Sequence, residues 1–247
     1  MGDDGRICLL TGAGGVLGNG ICQHFRNEWT IVAVGRSRLP AGTVPFPWPT
    51  PALDTSAGPR LFGLTVDLLD GNALHTIVER TIAHFGEIDV LVHAARSTIR
   101  GPITSRSPAL DSLEEQFRLN VVIAAELTTL VADRCWYGRE DENRRRRRHV
   151  LNLSSTAGHR LYPGSGLGAY AAAKAGVDWL TRYQALELAE LGVRANALAP
   201  NTFPGIVPTS KVLDAIRRLD TSDETGLILA IDRPGTWALA ETGWPEV

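Results

Sequence analysis

No apolar run in this 247-residue chain approaches the roughly 20 residues that a membrane-crossing helix needs, so no bilayer partner is expected. An excess of charge of one sign is also missing. A net charge of −2 gives no electrostatic basis for holding nucleic acid. Cysteine is scarce: Cys8, Cys22 and Cys135 are odd in number and without metal-ligand spacing. That argues against a disulfide framework or a metal site, and they read as reduced, mostly buried thiols of a cytoplasmic protein. The opening MGDDGRICLLTG has no charged-then-apolar secretion pattern. No internal repeat is visible.

What is present is alternation. RICLLTG is a short apolar run ending in glycine, followed by helical spacing in LGNGICQHFRNEW. TIVAVGR and LFGLTVD are two further strands, ALHTIVERTIAHFG an amphipathic helix, and IDVLVHAA a fourth strand. LEEQFRLNVVIAAELTTLVADRC reads as a long helix, HVLNLSS as a strand, YAAAKAGVDWLTRYQALELAELG as a helix and VRANALAP as a sixth strand. A helix near 209–219 and the strand GLILAID close the series. Continuous apolar strands alternating with helices predict a doubly wound parallel α/β sheet of about seven strands, covered on both faces, as one domain over residues 1–247.

Two segments interrupt the rhythm. RLPAGTVPFPWPTPALDTSAGPR holds six of the 14 prolines and predicts an irregular crossover, since proline removes a donor and clashes with a helical turn. The run of five arginines, 144–148, precedes the fifth strand and reads as a solvated loop. It enters the sheet at the edge away from the C-terminal strand ends, where ligands of such sheets bind.

In GAYAAAKAG, Tyr170 and Lys174 lie four residues apart and share one helix face. A free tyrosine titrates near pH ~10 and is a poor proton donor at neutral pH. A cation beside it favours the phenolate, so the pair is a candidate acid/base unit. Upstream, LLTGAGGVLGNG is a glycine-rich strand-to-helix turn of the kind that brings backbone amides to a pyrophosphate. With it, in order, come HAA, Asn120 in RLNVV, NLSS and YAAAK.

That order resembles the short-chain dehydrogenase/reductase family over nearly the whole chain. The resemblance implies a Rossmann-type fold, a nicotinamide cofactor, and a small-molecule or carrier-bound carbonyl substrate. It assigns Ser155 to the reacting oxygen, Tyr170 to acid/base work, Lys174 to the nicotinamide ribose and the tyrosine pKa, and Asn120 to a water in a proton relay. It places Gly12, Gly15, Leu17 and Gly18 of the glycine loop against the cofactor, with Ala94 and Ala95 of HAA. Arg36, Ser37, Asp67, Leu68 and Pro200 complete the cofactor set, together with Tyr170 and Lys174. Gly35 and Arg36 stand where NAD users carry an acid, which favours NADP(H) over NAD(H). The two adjoining long helices imply a homodimer or homotetramer.

The departures from the family pattern also carry expectations. Val16 takes the middle glycine position, and Gly12, Gly15 and Gly18 follow the spacing of the epimerase and dehydratase branch, whose extra C-terminal domain 247 residues do not accommodate. Arg96 replaces a glycine beside the cofactor. Only 24 residues separate Pro200 from Thr225, so the substrate lid is expected to be largely missing. An open pocket suits a bulky or carrier-bound carbonyl compound, such as a polyketide or other secondary metabolite. The competing functions are epimerase- or dehydratase-like chemistry and a nucleotide-binding regulator without turnover.

Overall fold

The computed structural model describes residues 5–46 and 60–239. Its centre is one sheet in which nine strands are described, ordered β3-β4-β2-β1-β5-β6-β7-β8-β9. They are β1 (Arg6–Thr11), β2 (Trp29–Gly35), β3 (Val44–Pro45), β4 (Leu61–Thr65), β5 (Val90–His93), β6 (His149–Leu153), β7 (Arg194–Pro200), β8 (Ile228–Ile231) and β9 (Thr236–Ala238). All pairings are parallel except β8 with β9. The helices are α1 (Val16–Phe25), α2 (Ala73–Phe85), α3 (Pro108–Asp111), α4 (Leu113–Phe117), α5 (Ile123–Val131), α6 (Glu140–Arg145), α7 (Gly168–Ala189) and α8 (Thr209–Thr221).

Every residue of β2 is buried, and β1 is buried beyond Arg6, because helices cover both faces. Successive strand side chains point to opposite faces. Cys8 and Leu10 of β1 therefore pack with Ile21 and Phe25 of α1 and with Val212, Ile216 and Leu219 of α8. Leu9 packs the other way, with Ile77 of α2, Leu127 of α5 and Leu188 of α7. The three cysteines are free and buried. No helix among the described residues is long and apolar enough to cross a membrane.

Two strands exceed the expected seven. β3 is a two-residue edge strand inside the proline-rich segment, and β9 a three-residue antiparallel return, both too short to carry a period. Of the expected irregular crossover, residues 38–46 contain no helix, and 47–59 lie outside the described residues. The long helix is present from α4 through Trp136, but with two π turns, Arg118–Val122 and Ala132–Trp136.

The arginine run corrects the solvated-loop expectation. It closes α6 and then turns inward, since Arg146 is mostly buried and Arg148 wholly so. Arg146 donates to both oxygens of buried Asp89 at 2.6 and 2.7 Å. Arg148 donates to Glu87 at 2.8 Å, to Asn143 Oδ1 at 2.6 Å and to the Cys135 carbonyl at 2.8 Å. Asp89 also accepts from the Ile7 amide at 2.8 Å, which ties the start of β1 to the cluster. Burial would raise the Asp89 carboxyl, but its bonds to Arg146 and Ile7 outweigh that and hold it below the ordinary carboxylate range. The sequence shows only a charge run; the two carboxylates that draw its end inward lie some 60 residues earlier.

Candidate active site

β1 ends at Thr11, and Gly12 (φ +71°) turns the chain over the end of β5. A Cβ on Gly12 would meet the backbone of Ala94 and Ala95 at 2.5 Å, so the close approach of the two strand ends requires glycine. Gly18 is tight too, a Cβ there standing 2.4 Å from the Gly12 carbonyl, and so is Gly14, where it would stand 2.3 Å from the Arg38 carbonyl. Spacing had singled out Gly15 rather than Gly14. Gly15 is the N-cap of α1, with no side-chain cap, so the amides of that helix end are left for solvent or a ligand. Val16 is exposed and does not obstruct this end.

A cavity of about 1020 Å³ runs along the C-terminal strand ends. Its walls bring together the residues named from the motifs: Gly12, Gly15, Leu17 and Gly18 from the loop, and Arg36 and Ser37 after β2. Asp67, Leu68, Ala94, Ala95, Ser155, Tyr170, Lys174 and Pro200 also line it. Asp67 accepts from the Leu69 amide at 3.1 Å, which fixes the turn after β4. Asn120 does not line the cavity. It sits in the first π turn and donates to the Ser97 and Gln116 carbonyls at 2.9 and 2.8 Å. Its Oδ1 is buried and has no partner in the structure.

Tyr170 and Lys174 are both buried on the first turns of α7, the ammonium 5.6 Å from the tyrosine ring centre. Lys174 Nζ donates to the Leu153 carbonyl at the end of β6. Ser154 is also buried and bonds to the Lys174 carbonyl, whereas Ser155 caps the 3₁₀ turn Thr156–Gly158. Both serines line the cavity; the Ser154 hydroxyl is tied to α7, and the Ser155 hydroxyl accepts from the Ala157 amide.

The electrostatics differ from expectation. Burial pushes the Tyr170 phenol above its ordinary value, and this outweighs the Arg96 charge and side-chain hydrogen bonds with Ser155, Thr98 and Arg96 that act to lower it. The cation that acts on the phenol is Arg96. Lys174 is itself lowered to about 7 by burial and then by Arg96, with Asp178 opposing.

This shift makes a stability prediction. A lysine depressed when folded binds more protons unfolded than folded between its two pKa values, so stability rises with pH there. The window runs from about 7 to the unfolded ~10.4. Relative to Lys174→Met, which does not titrate, the parent should gain about 2–3 kcal/mol between pH ~7 and ~9, at 1.36 kcal/mol per unit. Urea denaturation at several pH values checks this; parallel curves for the two proteins would refute it.

Beyond β7, residues 201–208 form turns without a helix, and Thr202, Phe203 and Pro204 line the cavity. α8 begins at Thr209, as expected, but its N-cap is Pro208, without a side-chain bond. Its apolar stripe, Val212, Leu213, Ile216 and Leu219, faces the core. α8 is a core helix, and the described chain folds no helix over Tyr170.

The short chain dehydrogenase family model matches residues 6–212. The chain belongs to the short-chain dehydrogenase family. It is 31% identical over 222 residues to nodulation protein G of Azospirillum brasilense, covering 86% of this chain and 78% of that protein. It is 29% identical over 143 residues to a cyclohexanol dehydrogenase of Rhodococcus sp. (strain TK6), covering 58% of this chain and 51% of that one. The chain thus spans about half the length of that curated relative. In fold it matches the crystal structure of a 3-ketoacyl-(acyl-carrier-protein) reductase from Brucella melitensis complexed with NADH. That match has a TM-score of 0.74 at 20% identity and covers 94% and 98% of the two chains.

The site of this short-chain dehydrogenase fits the nicotinamide dinucleotide its family implies. The glycine loop leaves room for backbone approach, α1 offers unpaired amides to a pyrophosphate, and the cavity continues to Tyr170. Several polar wall residues were not foreseen, Thr98, Arg100 and Tyr162 among them. Thr98 and Arg100 follow Arg96 in the loop after β5, Tyr162 hydrogen-bonds Asn201 at 2.8 Å, and Asn201 in turn donates to Asp232. Arg96 beside them was flagged in the sequence as a departure from glycine; Thr98, Arg100 and Tyr162 lie in loops without periodicity or motif.

Proposed function

We propose that this chain is an NADP(H)-dependent carbonyl reductase or alcohol dehydrogenase working through Tyr170. One observation carries the reading: Ser155, Tyr170 and Lys174 share one cavity with the glycine loop and the uncapped end of α1. When bound, the nicotinamide supplies or accepts a hydride. Ser155 steadies the substrate oxygen, and Tyr170 gives that oxygen a proton in reduction and takes it back in oxidation. Lys174, lowered to about 7, is poised to pass protons near neutral pH. Asn120 offers its unpartnered Oδ1 to a water of the relay. The lidless rim suits a bulky carbonyl compound. A fluorescence titration with NADPH, then a consumption assay over a ketone panel, tests the reading. Binding without turnover of any substrate favours the regulator.

The preference for NADP(H) rests on Arg36 and Arg38, both exposed on the cavity wall and without an acidic partner among the described residues. If Arg36 holds the 2′-phosphate, Arg36→Ala should weaken NADPH binding by roughly 1.5–3 kcal/mol, the scale of a charge-assisted hydrogen bond. NADH binding should hardly change. Equal affinity of the parent for both cofactors refutes the preference.

Self-association through α7 is part of the same reading. Trp179, Tyr183 and Leu186 form an exposed apolar stripe at helical spacing. Light scattering that gives a monomer mass at micromolar concentration removes it.

A further inference from the structure

We infer that Arg96 is the anchor for a carboxylate carried on the carbon next to the reacting carbonyl, so that the substrates are 2-oxo acids and their 2-hydroxy counterparts. This rests on the redox reading of the Tyr170 site and names its substrate class.

The placement is built, not incidental. Arg96 lies in the loop after β5, beyond Ala95. The segment that carries it is held from the helical run. Asn120 donates to the Ser97 carbonyl at 2.9 Å, and the Ile99 amide donates to Gln116 Oε1 at 3.1 Å. Arg96 Nη1 donates to Thr98 Oγ1 at 2.6 Å, which sets the direction of an otherwise mobile side chain. Arg96, Thr98, Ser155 and Tyr170 line one cavity, and the Arg96 charge acts on the Tyr170 phenol. No carboxylate pairs with it among the described residues, and the side chain is exposed to the cavity.

A substrate oxygen between Tyr170 and Ser155 therefore has a planar cation next to it. A carboxylate attached directly to the reacting carbon puts its oxygens one bond further on, where a guanidinium fork binds them in pairs. Arg100 on the same wall adds positive charge, against which stands Glu115. Sheet order separates this cation from the cofactor phosphate end: Arg36 and Arg38 follow β2, two strands away from β5 across β1.

The test compares phenylpyruvate with its ethyl ester, which differ in the charge, using the full chain, its Arg96→Gly and Arg96→Lys variants, and NADPH and NADH. The parent should prefer the acid. In Arg96→Gly the acid-to-ester ratio of kcat/KM should fall roughly 10- to 100-fold, the range of a charge-assisted bond. Arg96→Lys should lie between, since it keeps a charge without the fork. In parallel, calorimetry on the cofactor-loaded protein should find oxamate bound, neutral oxamide not, and oxamate lost in Arg96→Gly. An unchanged ratio, or oxamate binding that ignores the substitution, overturns the inference. So does an equal loss on acid and ester with weakened cofactor binding, which assigns Arg96 to the cofactor. If no carbonyl compound is turned over yet oxamate binding needs Arg96, the redox reading falls and the anion anchor stands. If neutral ketones are reduced and oxamate does not bind, the reverse holds.

Discussion

Tyr170→Phe should lower turnover by about 10²–10⁴-fold, the usual worth of a positioned acid/base. The ring stays, so the packing of the first turns of α7 is retained. What is lost is one hydroxyl, with its links to Ser155, Thr98 and Arg96. Cofactor affinity should persist, because the glycine loop, the end of α1 and the ends of β2 and β4 are untouched. Fluorescence titration beside steady-state kinetics separates the two effects. Activity within a few fold of the parent would remove Tyr170 from the chemistry. The raised phenol also sets a direction: Tyr170 stays protonated at neutral pH, the form that reduction needs. The Arg96 charge acts in the other direction and eases loss of that proton.

The second large effect is on stability. Two arginines three apart in one run should behave in opposite ways. Arg148→Ala should destabilise the fold by about 3–5 kcal/mol, the cost of breaking a buried ion pair from one side. The reason is what stays behind: Asp89 and Glu87 lose a cation, and the Cys135 carbonyl and Asn143 Oδ1 lose a buried donor. Arg145→Ala should fall within about 0.5 kcal/mol, like most surface changes, since that side chain is 70% exposed at the end of α6. Urea midpoints of the two variants decide it. Equal losses would mean that the run acts as a bulk charge patch and not as a directed clasp.

Much of this molecule was legible in order along the chain. Strand and helix periods depend on neighbours two to four residues away, so Leu9 and Leu10 in β1, or Val212 and Ile216 in α8, declare their faces without the fold. Gly12 was readable as a strand-to-helix turn, and parallel strands put such turns at one edge; Ser155, Tyr170 and Lys174 were named through the family resemblance, and they line the same cavity. What depends on distant partners was not legible. Arg148 looks like solvent-facing charge until β5 brings Glu87 and Asp89 beside it. Gly14 looks interchangeable with Gly15 until the Arg38 carbonyl arrives 2.3 Å from its would-be Cβ. Lys174 looks like a plain cation until burial and Arg96 bring it to about 7. The sequence by itself determined the layers, the edge that holds the site and the chemical types gathered there. Only the tertiary structure decided that the Arg96 charge joins Lys174 in acting near the phenol and which charges are buried, because both depend on desolvation and on groups remote in sequence but adjacent in space.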